Sequence, residues 1–306
     1  MRVLITGGSG FVGQRLFRYL SKININVERL IRGQETRPSM FNIVGNHDYE
    51  GIKKTLDYYR PDIIFHLAGI VHAQNTDALV QANVGYLSRI LDSLKVYSEW
   101  ARNTRVIVLG SAAEYGHVEV QELPVSENYV GQPISLYGAT KLAQTQLALN
   151  WANSFDRFVA IVRPFSLVGP GVPKHTAIGN FVDQLAKIKG DSSPGVLRVG
   201  NLDTSRDIMD IDTAAEILWK LSECESISGK IINLCSGAPV KIGDVVKYLI
   251  EVSGGNIKID QARKLKRRVD MKIHYGDDSL LHSVLPHRPK TDWKASLSSA
   301  LEHRVS

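Results

Sequence analysis

The sequence predicts a doubly wound α/β fold: a parallel sheet with helices on both faces and a smaller, interleaved α/β lobe toward the C-terminus. Three observations lead there. Short apolar runs alternate with longer stretches of helical period through the first half of the chain. The first run enters a cluster of glycines and then, at once, an amphipathic stretch. After Pro164 the texture changes to shorter elements and frequent Gly/Pro punctuation.

In order, the apolar runs are 3–6, 27–31, 63–67, 106–109 and 159–162. Between the first two, Val12, Leu16, Phe17 and Leu20 fall on one helix face. Residues 78–94 and 137–151 have the same period. Parallel strands need crossover connections, so this alternation specifies a parallel sheet covered on both sides. Beyond Pro164 comes a segment, 166–176, with Gly169-Pro170-Gly171 and Pro173. A helix over 181–188, a strand over 196–199 and a helix over 213–221 with Asp212 as its N-cap are expected next. The run Ile231–Leu234 is expected to return to the main sheet. The division is therefore 1–165, with returning segments near 207–212 and 230–236, and 166–306 as mainly a second lobe.

Composition narrows the class. The chain has 306 residues, 43% hydrophobic and 22% charged, as a soluble globular protein does. No apolar run approaches the ~20 residues of a membrane helix, so no membrane role is expected. A strand beginning at Arg2 leaves no room for a cleaved leader, and Cys224 and Cys235 form no ligand-like cluster, so a reducing cytoplasm is expected and no metal. The charge of +6 suits nucleic acid or a multiply anionic small ligand equally. The basic stretch 262–268 has no aromatic platform, so nucleic acid is not expected. It reads as a solvated helix face, or as a diphosphate clamp through Arg267 or Arg268.

The first strand runs into Thr6-Gly7-Gly8-Ser9-Gly10-Phe11-Val12-Gly13, with glycines spaced G-x-x-G-x-x-G. Such glycines allow a tight turn, let backbone approach a pyrophosphate and pack the next helix closely. The helix N-terminus then offers free N–H groups and a positive dipole. Gly7, Gly10, Phe11, Val12 and Gly13 are thus candidate dinucleotide contacts, which makes 1–165 a Rossmann domain. The second strand ends Leu30-Ile31-Arg32-Gly33, without the acid that would hold a ribose 2′-hydroxyl. Arg32 suits a 2′-phosphate, which points to NADP(H) over NAD(H).

Tyr137 and Lys141 stand at i and i+4 at the start of a helix, sharing one face. A tyrosine with a pKa of about 10 exchanges protons poorly at neutral pH, and a lysine cation nearby is expected to lower that value. Ser111, ending the run 106–111, is placed to polarise a carbonyl. The catalytic candidates are therefore Ser111, Tyr137 and Lys141.

Together with the glycine loop, the segments Phe65-His66-Leu67-Ala68-Gly69, Asn83-Val84, Ser111-Ala112-Ala113-Glu114-Tyr115-Gly116, Tyr137/Lys141 and Arg163-Pro164-Phe165 resemble the NAD(P)-dependent epimerase/dehydratase branch of the extended short-chain dehydrogenases. The resemblance implies that Tyr137 is the acid/base, that Lys141 binds the nicotinamide ribose and tunes Tyr137, and that Ser111 orients the substrate oxygen. It also implies that Leu67, Ala68 and Pro164 lie along the cofactor. Dehydratases of this branch carry an Asp-Glu pair after the Ser/Thr. Here Ala112 and Ala113 stand there, and Glu114, on a stretch read as strand-like, faces elsewhere.

The segments 199–210, 233–237 and 292–294 resemble those of GDP-4-keto-6-deoxy-mannose reductases. That likeness implies a nucleotide-sugar partner met by Ser166, Asn180, Arg206 and Arg267, with Arg206 alternatively in a salt bridge to Asp207 or Asp210. Relatives commonly read Arg-x-Phe-Asn where this chain has Ser166, so its sugar pocket differs. The expected activity is NADPH-dependent reduction of a nucleotide-linked 4-keto-6-deoxy sugar, GDP-linked by preference. The alternatives are an NAD-dependent 4-epimerase and a non-catalytic nucleotide-binding scaffold. A homodimer through helices 77–94 and 137–151 is expected by analogy.

Overall fold

A computed structural model describes residues 1–32, 42–45, 48–96, 99–188, 195–261 and 271–305. The first half contains β1 (Arg2–Thr6), α1 (Phe11–Lys22), β2 (Asn26–Arg32), β3 (Asn42–Gly45), α2 (Tyr49–Tyr59) and β4 (Ile63–His66). Then come α3 (Thr76–Val80), α4 (Tyr86–Val96), β5 (Arg105–Leu109), α5 (Leu136–Phe155), β6 (Val159–Pro164) and β7 (Ser166–Val168). The rest holds α6 (Ala177–Ile188), β8 (Gly195–Val199), β9 (Ser205–Asp210), α7 (Ile211–Ser222), β10 (Ile231–Leu234) and β11 (Pro239–Lys241). It ends with α8 (Ile242–Ser253), β12 (Ile257–Gln261), β13 (Ile273–His274), α9 (Ser279–Val284) and α10 (Trp293–Val305).

Seven strands form the main sheet in the order β10-β6-β5-β4-β1-β2-β3, and every neighbouring pair is parallel. Alternation along each strand divides its side chains between two cores. Val3, Ile5, Ile107 and Val162 pack with Leu16 and Leu20 of α1 and with α7. Leu4, Ile64, Val106, Val108 and Ile161 pack instead with Leu56, Leu87, Ile90 and Trp151 of α2, α4 and α5. These strands are apolar on both faces because both faces are covered.

The second lobe has a four-stranded sheet, β11-β9-β13 with β7 on β9, and the pair β12-β8. Its core joins α6, α8 and α10 through Phe181, Leu185, Val246, Leu249 and Leu297. The return to the first lobe differs in detail from the sequence reading. Residues 205–210 pair in the second sheet, with Met209 reaching the first core, and α7 from Ile211 onward packs on α1 and fills that core. The cap of α7 is Asp210, whose Oδ1 accepts from Thr213 N at 2.8 Å, and not Asp212, which pairs with Arg15 at 3.0 Å. The stretch expected as one helix over 78–94 is α3 and α4 joined by a π-helical turn at Gln81–Gly85. Among the described residues no helix is long and apolar enough to cross a membrane.

Candidate active site

The phosphate loop is shaped by contacts that exclude side chains. Gly7 has φ +70°, and a Cβ there would lie 2.6 Å from Ala68 N. A Cβ on Gly13 would lie 2.3 Å from Gly7 O. Gly10 caps α1 with no side-chain hydrogen bond, and the first turn has no acid. The opening N–H groups of α1, at Phe11, Val12 and Gly13, thus have no side-chain cap competing with an anion, and the helix dipole favours negative charge there. These residues fit a dinucleotide pyrophosphate. Leu67 and Ala68 lie directly against Gly7. Phe11 packs against both the first-lobe core and the second-lobe core. Arg32 closes β2, and its side chain, like Arg267 and the whole stretch 262–268, lies outside the described residues.

Beside this loop, β5 ends at Leu109 and turns through Gly110 into Ser111. The Ser111 hydroxyl accepts from Ala113 N at 3.1 Å and lies close enough to the Tyr137 phenol to favour its ionised form. Ser135 caps α5 by accepting from Gly138 N at 3.0 Å, which fixes Tyr137 and Lys141 in its first two turns. Gly138 is close to Ala113 O, where a Cβ would lie 2.4 Å away, so the serine turn and the helix meet without a gap.

The electrostatics revise one expectation. Burial raises the Tyr137 pKa, the Ser111 hydroxyl opposes the rise, and the Glu114 carboxylate adds to it. Lys141 does not bring the phenol below its ordinary value in this structure. Its ammonium donates to Leu109 O at 2.5 Å and to Gln144 Oε1, and burial lowers its own pKa to about 8. Tyr115, the other tyrosine of this region, is fully buried, donates to Asn233 Oδ1 at 2.6 Å and is pushed up to about 12 by burial. His66 is buried with Nδ1 at 2.9 Å from Thr6 Oγ1, and burial drops its pKa to about 3, so the ring is neutral.

Two supporting groups carry more than their sequence context suggested. Residues Ala112–Glu114 form a 3₁₀ turn and not a strand, so Glu114 folds back beneath Ser111. Its Oε1 accepts from Ser111 N at 2.8 Å; its Oε2 accepts from Thr145 Oγ1 at 2.8 Å and from Arg163 Nε and Nη2 at 2.9 and 2.8 Å. A lone arginine inside the apolar strand 159–164 was the available signal, since buried arginines are paired. Asn83, in the π-helical turn, accepts from Ile70 N at 2.8 Å and donates to Ile70 O at 3.0 Å and Thr140 Oγ1 at 2.9 Å. It ties the loop after β4 to the helix carrying Lys141, and π-turns are frequent at functional sites.

The remaining candidates lie in or beside the second lobe. Pro164 ends β6, and Ser166 opens β7, half-buried, in register with Ile208. Arg206, on β9, donates through Nη1 to Ser205 O at 2.8 Å and Met271 O at 2.9 Å. Asp207 is engaged by Ser236 and Gly237, and Asp210 caps α7. Asn180 is exposed on the first turn of α6, with its Oδ1 accepting from Gln184 Nε2 at 2.6 Å. Among the described residues no three His, Cys, Asp or Glu side chains cluster as a metal centre would require.

A glycine-cradled helix terminus next to a Ser–Tyr–Lys cluster is the site of an NAD(P)-dependent enzyme acting at a carbinol or ketone carbon. The chain belongs to the NAD dependent epimerase/dehydratase family, whose profile matches residues 3–235. Over 305 residues it is 28% identical to a GDP-6-deoxy-D-mannose reductase of Pseudomonas aeruginosa, covering 98% of this chain and 96% of that one. It is 26% identical to a GDP-6-deoxy-D-talose 4-dehydrogenase of Aggregatibacter actinomycetemcomitans, covering 100% and 98%. The structure of RMD from Pseudomonas aeruginosa complexed with NADPH superposes with a TM-score of 0.87 at 25% identity, covering 100% and 99%.

Proposed function

We propose that this chain is an NADPH-dependent reductase of a nucleotide-linked 4-keto-6-deoxy sugar, with a GDP-linked sugar as the preferred substrate. The observation that carries the reading is the placing of the Ser111 hydroxyl beside the Tyr137 phenol, next to Lys141 and at the edge of the phosphate loop. The full-length likeness to a GDP-6-deoxy-D-mannose reductase and to an NADPH-bound structure supports the substrate and cofactor class. The absence of an acid at the end of β2, with Arg32 there instead, supports NADP(H) over NAD(H).

When bound, the cofactor supplies a hydride to the keto carbon. The Tyr137 phenol gives its proton to the carbonyl oxygen, completing the alcohol. The Ser111 hydroxyl donates to that oxygen as charge develops on it. Lys141 would hold the nicotinamide ribose, and the Tyr137 phenolate regains its proton from solvent before the next turnover. Arg206 and Ser166 meet the nucleotide sugar. Glu114 is committed to Ser111 N, Thr145 and Arg163, so it has no proton role, in keeping with reduction and not dehydration.

The test is NADPH consumption with GDP- and dTDP-linked 4-keto-6-deoxy sugars, with NADH as control. Consumption of NADPH with the GDP-linked ketone supports the reading. No consumption, with NAD held tightly by the purified chain, supports a 4-epimerase instead, the activity of several NAD-bound structural neighbours.

A further inference from the structure

Two histidines from different lobes meet outside the Ser111–Tyr137–Lys141 cluster. His72 lies in the loop after β4, His175 in the turn before α6, and both are exposed. Their ring centroids are 5.9 Å apart, with the planes at 85°.

The anchoring of the two loops locates this contact. The loop after β4 is held at Ile70 by Asn83, and a Cβ on Gly69 would lie 3.9 Å from Lys141 Nζ. His72 is therefore three residues from the lysine end of the site. The opposite loop is fixed by Arg304, which donates to Val172 O at 2.6 Å, and by Thr176, which bonds Pro173 O. A Cβ on Gly171 would lie 3.8 Å from the Phe11 ring, at the opening of α1. His175 is thus four residues from the phosphate end. A dinucleotide running from the α1 terminus to Lys141 would pass between these two anchors, and the His72–His175 contact joins the two loops that carry them. Lys174, next to His175, is engaged by Asp183 at 2.8 Å.

We propose that His72 and His175 form a clasp between the lobes that retains the bound dinucleotide, their ring N–H groups donating to its phosphate and ribose oxygens. The proposal rests on the dinucleotide-binding reading of the cleft and not on which sugar is reduced. Between two exposed imidazoles alone the contact adds little, so its effect is expected on cofactor release and not on folding.

The experiment measures NADPH dissociation by rapid displacement for the wild-type chain, His72→Ala, His175→Ala, the double variant and His72→Gln, together with the Tm of each cofactor-free protein. Loss of one hydrogen-bonded contact should speed release about tenfold in either alanine variant. Because the clasp needs both rings, the double variant should release no faster than the singles, and His72→Gln, which keeps an N–H donor, should recover most of the retention. Tm should stay unchanged. Release rates within about twofold of wild type, single effects that multiply in the double variant, or a fall in Tm that parallels the loss of retention would overturn the clasp. A wild-type chain that binds neither NADPH nor NADH would overturn the dinucleotide reading itself, and the clasp with it.

Discussion

Replacing Glu114 by Gln should destabilise the protein far more than losing a surface ion pair would. The carboxylate is fully buried, and Arg163 is 2% exposed. Four donors converge on it: Ser111 N, Thr145 Oγ1 and two guanidinium nitrogens, all within 2.9 Å. Removing one charge leaves Arg163 buried and uncompensated, a change that costs about 3–5 kcal/mol. Against a total stability of about 5–15 kcal/mol, that is a large part of what holds the fold. The assay is urea unfolding followed by far-ultraviolet circular dichroism, with turnover measured where the variant is still folded. Turnover should also fall, since Glu114 fixes the backbone of Ser111. The paired replacement Glu114→Met with Arg163→Met should recover much of the stability but not the turnover. A loss below about 1 kcal/mol in Glu114→Gln, the range of an exposed pair, would refute this account of the turn.

Tyr137→Phe should lower turnover by about 10²–10⁴-fold while NADPH affinity, read by fluorescence titration, stays the same. Gly13→Ala places a methyl against Gly7 O, so cofactor binding should be lost in a protein whose circular dichroism is unchanged. Asn83→Ala removes three hydrogen bonds that join the loop after β4 to α5. It should raise the KM for the dinucleotide in steady-state kinetics and cost about 2–3 kcal/mol in urea unfolding. Lys141, with a folded pKa of about 8 against an unfolded value of 10.5, binds fewer protons folded than unfolded between those pH values. Stability should therefore rise with pH across that window, by about 3 kcal/mol from this group, and the rise should be missing from Lys141→Met in unfolding curves at pH 8 and 10.

The sheet was legible because its strands are apolar on both faces and its helices are amphipathic, so the period alone separates 3–6 from 12–20. The meeting of Ser111 with the start of the helix carrying Tyr137 and Lys141, and the glycine turn ahead of α1, were legible because spacing and strand order place them there. Glu114 does face away from the reacting groups, but not for the reason strand alternation gives. Beyond the end of β5 at Leu109 the alternating pattern no longer holds, because the capping box at Ser111 turns the chain and sends Glu114 inward. The cap of α7 was misplaced because Asp210 and Asp212 are both good caps, and only the strand register at Val168 and Asp210 decides between them. Asn83 was recognisable as part of a motif, but its clamp on Ile70 and Thr140 depends on a π-helical turn that periodicity does not reveal. The direction of the Tyr137 shift was missed because i, i+4 spacing says where Lys141 starts and not which acceptors its long side chain reaches.

On the proposed reading, this site transfers a hydride from NADPH to the keto carbon of a nucleotide sugar, with Tyr137 supplying the proton. That reading is tested most directly with NADPH deuterated on the transferred face of C4 and the GDP-linked 4-keto-6-deoxy sugar, reading the label by NMR of the product. One deuterium is expected on the former keto carbon of each product molecule, formed about 10²–10⁴-fold more slowly by the Tyr137→Phe variant. Product formed without that label, or a sugar interconverted with the label left on the cofactor, would contradict it.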